Sequence, residues 1–207
     1  MATFTPLTPA ALADRLASSI EDRHPGDHPF RVGLDAPGWT DLEPLIEALT
    51  AELLARGRAL AVVRTRDFLR DASLRLEYGH TDVESFYSSW VDLAAVQREV
   101  LDPTRAESRY LPSLRDPVSN RATRAEAIEL PAAGVLLLVG ELLLGRDLHL
   151  DLAVHIAVSR QARRRRVPDE LAWTLPAFDR YDIEVDPAGL AELVVRWDDP
   201  QRPALKN

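Results

Sequence analysis

The sequence lacks cysteine altogether, which excludes disulfide bonds and zinc sites built from thiolates. It also lacks an apolar stretch that could span a bilayer, because the longest run, 132–140, is far shorter than a membrane helix. No basic segment followed by an apolar one marks a signal peptide. We therefore expect a soluble, cytoplasmic protein with no membrane partner.

Positive charge is scarce as well, with 25 Lys and Arg residues against 33 Asp and Glu and a formal net charge of −8. This balance argues against general binding of nucleic acid. No Gly-x-Ser-x-Gly sequence supports a hydrolase, and the histidines show no spacing typical of metal ligands. His155 lies inside an apolar strand, which favours a buried, hydrogen-bonded histidine over a metal ligand.

What the sequence does contain is a series of short apolar segments that alternate with segments of helical spacing. Nearly continuous apolar runs are typical of strands covered on both faces of a parallel sheet. The expected strands are 30–34, 59–64, 134–139, 152–158 and 193–197. This order predicts one α/β domain over 1–207, with a mostly parallel five-stranded sheet and a helical N-terminal extension over 1–27.

Several helix boundaries can be predicted from local signals. Thr8 followed by Pro9 is typical of a helix start. A second helix is expected to start near Asp41 and to stop at Gly57. A further helix is expected over 92–101, ended by Asp102-Pro103, and 104–132 is expected to form loops and short edge strands.

The segment 30–42 has the order strand, tight turn, helix in which a phosphate-binding loop is found. In one register, Gly33 to Thr40 has the spacing of the motif G-x-x-x-x-G-K-[ST], but Trp39 replaces the lysine. In the second register the strand runs to Asp35, and only 36–40 remains for a loop that needs eight residues. We favour the second register, because the loop must follow the strand to surround a phosphate.

Several segments, in their order along the chain, resemble the uridine kinase group of P-loop kinases. The resemblance covers about 28–205 and implies a three-layer P-loop NTPase-like sandwich. The matching segments are Arg66-Asp67-Phe68, 82–92, Val100-Leu-Asp-Pro103, Ser108-Arg-Tyr110, 134–144, 151–159 and 186–200. The sequence departs from the family at three positions of one site: the loop has no lysine, Arg66 replaces an aspartate, and the acidic residue Glu141 is displaced by one position.

The resemblance implies Asp67 as the catalytic base, because phosphoryl transfer needs a carboxylate that accepts the proton of the attacking hydroxyl. The alternative is a loop aspartate paired with Arg66 or Arg70. Thr40 matches the threonine that holds Mg²⁺ in the family. Its alternative role is that of a helix N-cap before Asp41.

Five further residues form the predicted phosphate side of the site. Asp35 and Gly38 flank the turn, and Trp39 either stacks on a base, plugs the phosphate site or packs in the interior. Arg163 and Arg164 lie where the family's lid presents arginines to the phosphates. The alternative for these arginines is a solvated, salt-bridged helix face.

On the substrate side, the resemblance implies a polar pocket with stacking surfaces suited to a nucleoside. The residues assigned to it are Phe68, Phe86, Tyr87, Arg109 and Tyr110. The alternative is that these aromatic residues belong to satellite parts of the core.

ATP and Mg²⁺ are the cofactors that the resemblance implies, while the altered loop predicts weak or absent ATP binding. We therefore expect a uridine kinase-like protein that is non-catalytic and acts as a binding or regulatory module for a nucleoside-like molecule. An active small-molecule kinase and a structural partner with a closed cleft are the alternatives. The sequence leaves a homo-oligomer open.

Overall fold

The computed structural model of the protein describes residues 3–206. Within this part of the chain the strands are β1 (Phe4–Pro6), β2 (Phe30–Asp35), β3 (Leu60–Arg64), β4 (Arg109–Tyr110), β5 (Ile128–Glu129), β6 (Val135–Gly140), β7 (Leu152–Ala157), β8 (Leu193–Arg196) and β9 (Ala204–Lys206). The α-helices are α1 (Pro9–Arg23), α2 (Glu43–Ala55), α3 (Ala72–Arg75), α4 (Val83–Ser89), α5 (Leu93–Val96), α6 (Asp102–Glu107), α7 (Arg160–Arg166), α8 (Leu175–Glu184) and α9 (Pro187–Leu190). Two 3₁₀ segments, Thr65–Phe68 and Asp169–Thr174, and one π-helical segment, Gln97–Leu101, complete the helical structure.

The main sheet has seven strands in the order β1-β9-β8-β7-β2-β6-β3. The five strands from β8 to β3 are parallel, whereas β9 pairs antiparallel with β8 and β1 pairs antiparallel with β9. The predicted α/β class and all five predicted parallel strands are thus confirmed. The two antiparallel strands were not predicted, because three residues are too few to show a periodic pattern.

The central strands are covered on both faces, as their apolar sequences require. Along β6, Val135 and Leu137 belong to the core on one face, while Leu136 and Leu138 belong to the core on the other. This alternation is the two-residue period of a strand. Helices therefore lie on both sides of the sheet, and the three layers position the loops at the ends of the strands.

Helix α1 starts as the sequence predicts, because the side chain of Thr8 accepts a hydrogen bond from the Ala11 N–H. Its buried residues Leu12 and Leu16 join the same core as α2, against which α1 packs. The predicted single domain over 1–207 includes Met1, Ala2 and Asn207, which lie outside the described residues, and it stays a prediction.

The predicted helix end at Asp102-Pro103 is wrong. The chain passes from α5 through the π-helical segment Gln97–Leu101 directly into α6, which ends at Glu107. Pro103 occupies the first turn of α6, where a missing N–H is tolerated. The wider π turn just before Pro103 changes the hydrogen-bond pattern at that point, so the proline does not break the helix. Of the segment 104–132, predicted as loops and short edge strands, residues 104–107 belong to α6, so the prediction is wrong there. The rest consists of loops and the short strands β4 and β5, which form a separate two-stranded sheet.

Over residues 3–206, none of the helices has the length and apolar character needed to cross a membrane.

Candidate functional site

The candidate site lies at the carboxyl edge of the parallel sheet, where β2, β3 and β6 end side by side. Leu34 and Val63 are the penultimate residues of β2 and β3, as predicted. Strand β2 runs to Asp35, as the second register requires, and α2 begins at Glu43, two residues later than expected. Residues 36–42 therefore form the connection that corresponds in position to a phosphate-binding loop.

This loop is tied to the end of β6 by two hydrogen bonds from its backbone. The Ala36 N–H donates to the carbonyl oxygen of Gly140 (2.8 Å), and the Gly38 N–H donates to Oε2 of Glu141 (2.9 Å). A Cβ atom added to Gly38 would lie 3.0 Å from the same Oε2. The carboxylate of Glu141 thus lies directly against the loop, and a side chain at position 38 would require this carboxylate to shift by a few tenths of an ångström.

The environment of Glu141 destabilises its ionised form relative to a carboxyl group in water, so that the ionised and the protonated forms are both populated near neutral pH. Burial and, to a smaller extent, the negative charge of Asp35 raise the pKa of Glu141 to about 7, although the hydrogen bond from Gly38 acts in the opposite direction. The residue keeps partial solvent exposure in the wall of the cleft between the loop and the ends of β3 and β6, which weakens the effect of desolvation. A carboxyl group with such a pKa changes its charge near neutral pH.

Asp35 has both carboxylate oxygens bonded inside the protein. Its Oδ1 accepts the Leu143 N–H (3.0 Å), while Oδ2 accepts from His155 Nδ1 (2.8 Å) and from the Tyr181 hydroxyl (3.2 Å). All three polar side chains are buried. The predicted hydrogen-bonded, buried state of His155 is confirmed. Asp35 therefore connects β2 to β7, α8 and the segment after β6, with both of its oxygens hydrogen-bonded inside the protein.

Tyr181 completes this buried cluster. Its hydroxyl also accepts the Leu144 N–H at 2.7 Å. Burial, and then the charge of Asp35, raise the pKa of Tyr181 far above its ordinary value, so the phenol stays protonated.

A cleft of ≈130 Å³ opens between the loop and the ends of β3 and β6. Its walls come from the loop 36–42, the first turns of α2, residues 64–66 with Leu69, and residues 139–141. Arg64 is paired across the cleft with Glu43, and Arg66 is exposed at the rim. We call this space the cleft.

Thr40 lies in the wall of the cleft with its hydroxyl turned inward. Its Oγ1 is buried and has no hydrogen-bond partner among residues 3–206. The N-cap alternative for Thr40 is wrong, because Leu42 occupies the N-cap of α2. Leaving a buried hydroxyl unbonded costs about 1–3 kcal/mol, so a ligand that reached this group and bonded it would remove that cost.

Asp67 lies in the 3₁₀ segment after β3, between residues that line the cleft, but it does not line the cleft itself. Burial raises the pKa of Asp67 above its ordinary value, while Arg66 and Arg64 lower it. Its carbonyl oxygen accepts the N–H groups of Leu114 and Arg115, both at 2.9 Å, which fixes the backbone at this position. Its role as a catalytic base stays a prediction.

The aromatic candidates near the loop pack against one another. Trp39 contacts Phe178 edge-on at 4.8 Å, and Phe86 lies 5.3 Å from Trp90 and 5.4 Å from Trp173, measured between ring centroids. Trp39 is half-buried, whereas Phe86 is buried. These contacts agree with the alternatives in which Trp39 packs in the interior and Phe86 belongs to a satellite part of the core.

Tyr87 and Phe86 line a smaller cavity of ≈40 Å³ that adjoins the cleft at Glu141. The Tyr87 hydroxyl donates to Glu184 Oε2 at 3.2 Å, and the guanidinium groups of Arg146 and Arg180 lie over its ring at 4.6 and 4.2 Å. Glu141 thus separates the cleft from the aromatic side of the site.

Three predicted substrate residues lie away from the cleft. Phe68 is fully enclosed in the core behind β3, so a stacking role would require that core to open. Tyr110 is buried in the same core, and burial raises its pKa. Arg109 is exposed on the separate β4–β5 pair and forms an ion pair with Glu107 at 2.5 Å.

The arginines of α7 divide into buried and exposed groups. Arg163 is buried and paired with Asp182 of α8, so this arginine is salt-bridged, as the alternative of a solvated, salt-bridged helix face has it, but it is not solvated. Its Nε is buried without a hydrogen-bond partner in the described part of the chain. Arg164 is exposed. Arg163 therefore joins α7 to α8 and is already neutralised by a carboxylate.

The sequence contains a single lysine, Lys206. It lies in β9, separated from β2 by β8 and β7, and its Nζ donates to the carbonyl oxygen of Ala188 at 3.4 Å. At about 4.8 Å per strand, this places it three strand spacings from the loop. No ammonium group therefore reaches the position that a phosphate would occupy.

These residues do not fit the phosphates of ATP. The Gly38 N–H is bonded to a carboxylate, no lysine is within reach, and Arg163 is paired with Asp182. No group of three or more His, Asp or Glu side chains that could hold a metal ion occurs between residues 3 and 206. A triphosphate would have to displace Glu141 before it could use the loop.

Sequence reasoning did not assign Glu141, Thr65 or Tyr181 to the site. The sequence Gly140-Glu141 could have indicated Glu141, but it was interpreted only as an acidic residue displaced by one position relative to the family. Thr65 is held close to Gly140, where an added Cβ would lie 2.2 Å from its hydroxyl oxygen. Tyr181 reaches Asp35 across 146 positions of sequence, which no local motif could reveal.

Known structures share this architecture. No model of a protein family matches the sequence, and no curated protein matches it. A protein described as a possible uridine kinase from Bacillus stearothermophilus superposes with a TM-score of 0.71 at 15% identity, over 88% of this chain and 96% of that one. A provisionally assigned fructose transport system kinase from Silicibacter sp. TM1040 gives 0.59 at 23% identity, over 88% and 91%. D-glycerate 3-kinase from Cryptococcus neoformans gives 0.52 at 14% identity, over 84% and 79%.

At these identities the likeness establishes architecture, not activity. Three features of this chain agree with that architecture: the order of the five parallel strands, the loop after β2, and the helical layers on both faces of the sheet. The chain therefore has the α/β fold of the P-loop kinases.

Proposed function

We propose that this protein no longer transfers phosphate from ATP and instead binds a small, uncharged, hydroxyl-bearing molecule of the nucleoside type in the cleft. The observation that carries the proposal is the distance of the single lysine, Lys206, from the loop, with its Nζ bonded to Ala188. Electrostatic stabilisation of the transferred charge is usually the largest catalytic contribution. Without an ammonium group and with Gly38 bonded to a carboxylate, the loop offers little of it.

The polarity of the cleft supports an uncharged ligand. Glu141 and the paired Glu43 contribute negative charge, Arg66 contributes positive charge at the rim, and Thr40 contributes a buried hydroxyl. Hydroxyl groups of a sugar can donate to a carboxylate and also bond to Thr40 Oγ1. A ligand carrying several negative charges would instead meet the carboxylate of Glu141.

The test is a thermal-shift titration of the full chain with uridine, cytidine and related sugars. Ligand in large excess over its Kd should raise the Tm by mass action on the folded state. Thr40→Val should abolish this rise, while the ligand-free variant stays at least as stable, because valine removes an unbonded buried hydroxyl at constant shape.

Thr50→Val is the matched control, because the Thr50 hydroxyl bonds within α2 to the Ile46 carbonyl oxygen and does not line the cleft. It should leave the ligand-induced rise intact. No rise with any of these molecules in the wild-type protein would overturn the binding proposal and favour a closed cleft.

An active kinase is the second candidate, and the observation that favours it is the raised pKa of Asp67 beside the cleft. A carboxylate with a raised pKa is a better proton acceptor near neutral pH. Transfer of the γ-phosphate of ATP to a nucleoside, abolished by Asp67→Asn, would replace our proposal with this one.

A further inference from the structure

The contact between Glu141 and the loop has the form of an anion bound at a phosphate-binding loop. Backbone N–H groups that precede a helix are suited to bind an anion, because they point at it and the helix dipole favours negative charge. Here the anion is a side chain of the protein itself. Its Oε2 accepts the Gly38 N–H at 2.9 Å.

The backbone around Glu141 is shaped to hold it there. Leu142 has φ of 57°, a left-handed conformation that is strained for a branched side chain. The next residue, Leu143, is anchored by its N–H to Asp35 Oδ1 at 3.0 Å. The turn is thus fixed on both sides of Leu142, and it directs Glu141 to the loop rather than along the axis of β6.

The occupied position leaves no room for a second anion. Cδ of Glu141 would lie 3.2 Å from a Cβ at Gly38, so the carboxylate lies at contact distance from Gly38 and occupies the acceptor position of its N–H. Asp35 lies below it and adds negative charge. A phosphate oxygen could bond the same N–H only after Glu141 had moved away.

We propose that Glu141 is an internal anion that blocks the loop, so that the loop would bind a pyrophosphate-type group if this carboxylate were removed. The inference rests on the proposed function, because the loop forms a wall of the same cleft. It makes a separate claim about a site within the loop that the wild-type protein keeps closed.

The experiment is calorimetric titration of inorganic pyrophosphate into the full-length wild-type protein and three variants. Glu141→Ala vacates the position, and Glu141→Gln keeps the shape but removes the charge. Asp41→Asn is the matched control, because Asp41 is an exposed residue of the loop that does not line the cleft, and asparagine can still accept the Glu43 N–H.

Glu141→Ala should bind pyrophosphate at least about ten-fold more tightly than the wild type, which corresponds to about 1.4 kcal/mol. Glu141→Gln should also gain, but by less, and Asp41→Asn should stay within about two-fold of the wild type. A folded Glu141→Gln protein with no gain would overturn the inference, even if Glu141→Ala fails to fold. Equal gains in Glu141→Gln and Asp41→Asn would overturn it too, because net charge alone would then be the cause. Either failure would leave the nucleoside titration unaffected.

Discussion

At the scale of single residues, Glu141 is the side chain whose position packing alone does not explain. Its carboxylate is desolvated, lies near a second carboxylate and accepts one hydrogen bond from the loop. Desolvation without an ion-pair partner normally drives a carboxyl group to the surface or to protonation. The carboxyl group of Glu141 stays at this position despite the free-energy cost of desolvation. Such a cost is expected where a charged group has a function.

This environment predicts a pH-dependent stability. The folded-state pKa of about 7 lies above the ordinary value of 4.5, so the folded protein binds this proton more tightly than the unfolded chain. The free energy of unfolding should therefore fall as pH rises between these two values. The loss should be on the order of 2 kcal/mol, because partial exposure weakens the effect.

Urea unfolding across this pH range would measure it, with Glu141→Gln as the variant that cannot titrate. The difference in unfolding free energy, wild type minus Glu141→Gln, should decrease as pH rises. Asp41→Asn should follow the wild type. Parallel curves for the wild type and Glu141→Gln would show that Glu141 has an ordinary pKa.

At the scale of elements, the loop 36–42 is fixed from several sides. Asp35 at its start is bonded to β7 and α8 through His155 and Tyr181. Trp39 packs on Phe178 of α8. The loop is therefore held in place at its start and at Trp39, and we expect these contacts to restrict the movement it would need to surround a triphosphate.

Replacing Trp39 by lysine tests whether the missing lysine is the only defect of the loop. Trp39→Lys should not confer binding of Mg·ATP, because Glu141 still occupies the Gly38 N–H. It should also lower the free energy of unfolding by about 1–3 kcal/mol, since a half-buried aromatic contact is lost. Trp39→Phe, which keeps an aromatic ring, should lose less. Calorimetry that detects micromolar ATP binding to Trp39→Lys would show that the loop is otherwise complete.

Elements with a long apolar pattern could be predicted from the sequence, and contacts between distant segments could not. The five parallel strands were predictable because buried strands are continuously apolar. Strands β1 and β9 are too short to show a pattern. The helix through Pro103 was missed because a π turn is not encoded by any residue type.

For the site, the sequence located the loop and the end of β3, because both follow recognisable strands. The partners of Asp35 are 120 and 146 positions away, and only the fold brings them together. Phe68 was assigned to the substrate side because its motif lies next to the site, whereas its ring turns into the core.

At the scale of the whole molecule, the fold is that of proteins that bind phosphate groups, whereas the charge distribution disfavours a phosphate ligand. The architecture is that of the P-loop kinases, in which a loop and a lysine surround phosphate groups. This chain has a net charge of −8, a single lysine at the far side of the sheet, and a carboxylate at the loop. Such a charge distribution disfavours a polyanionic ligand and leaves an uncharged one unaffected.

The most direct test of this account is calorimetric titration of the wild-type protein with Mg·ATP. We predict no measurable binding at micromolar concentrations, because the loop N–H is occupied by Glu141 and no lysine reaches the phosphates. A Kd in the micromolar range or below would contradict the account and establish the loop as a working phosphate site.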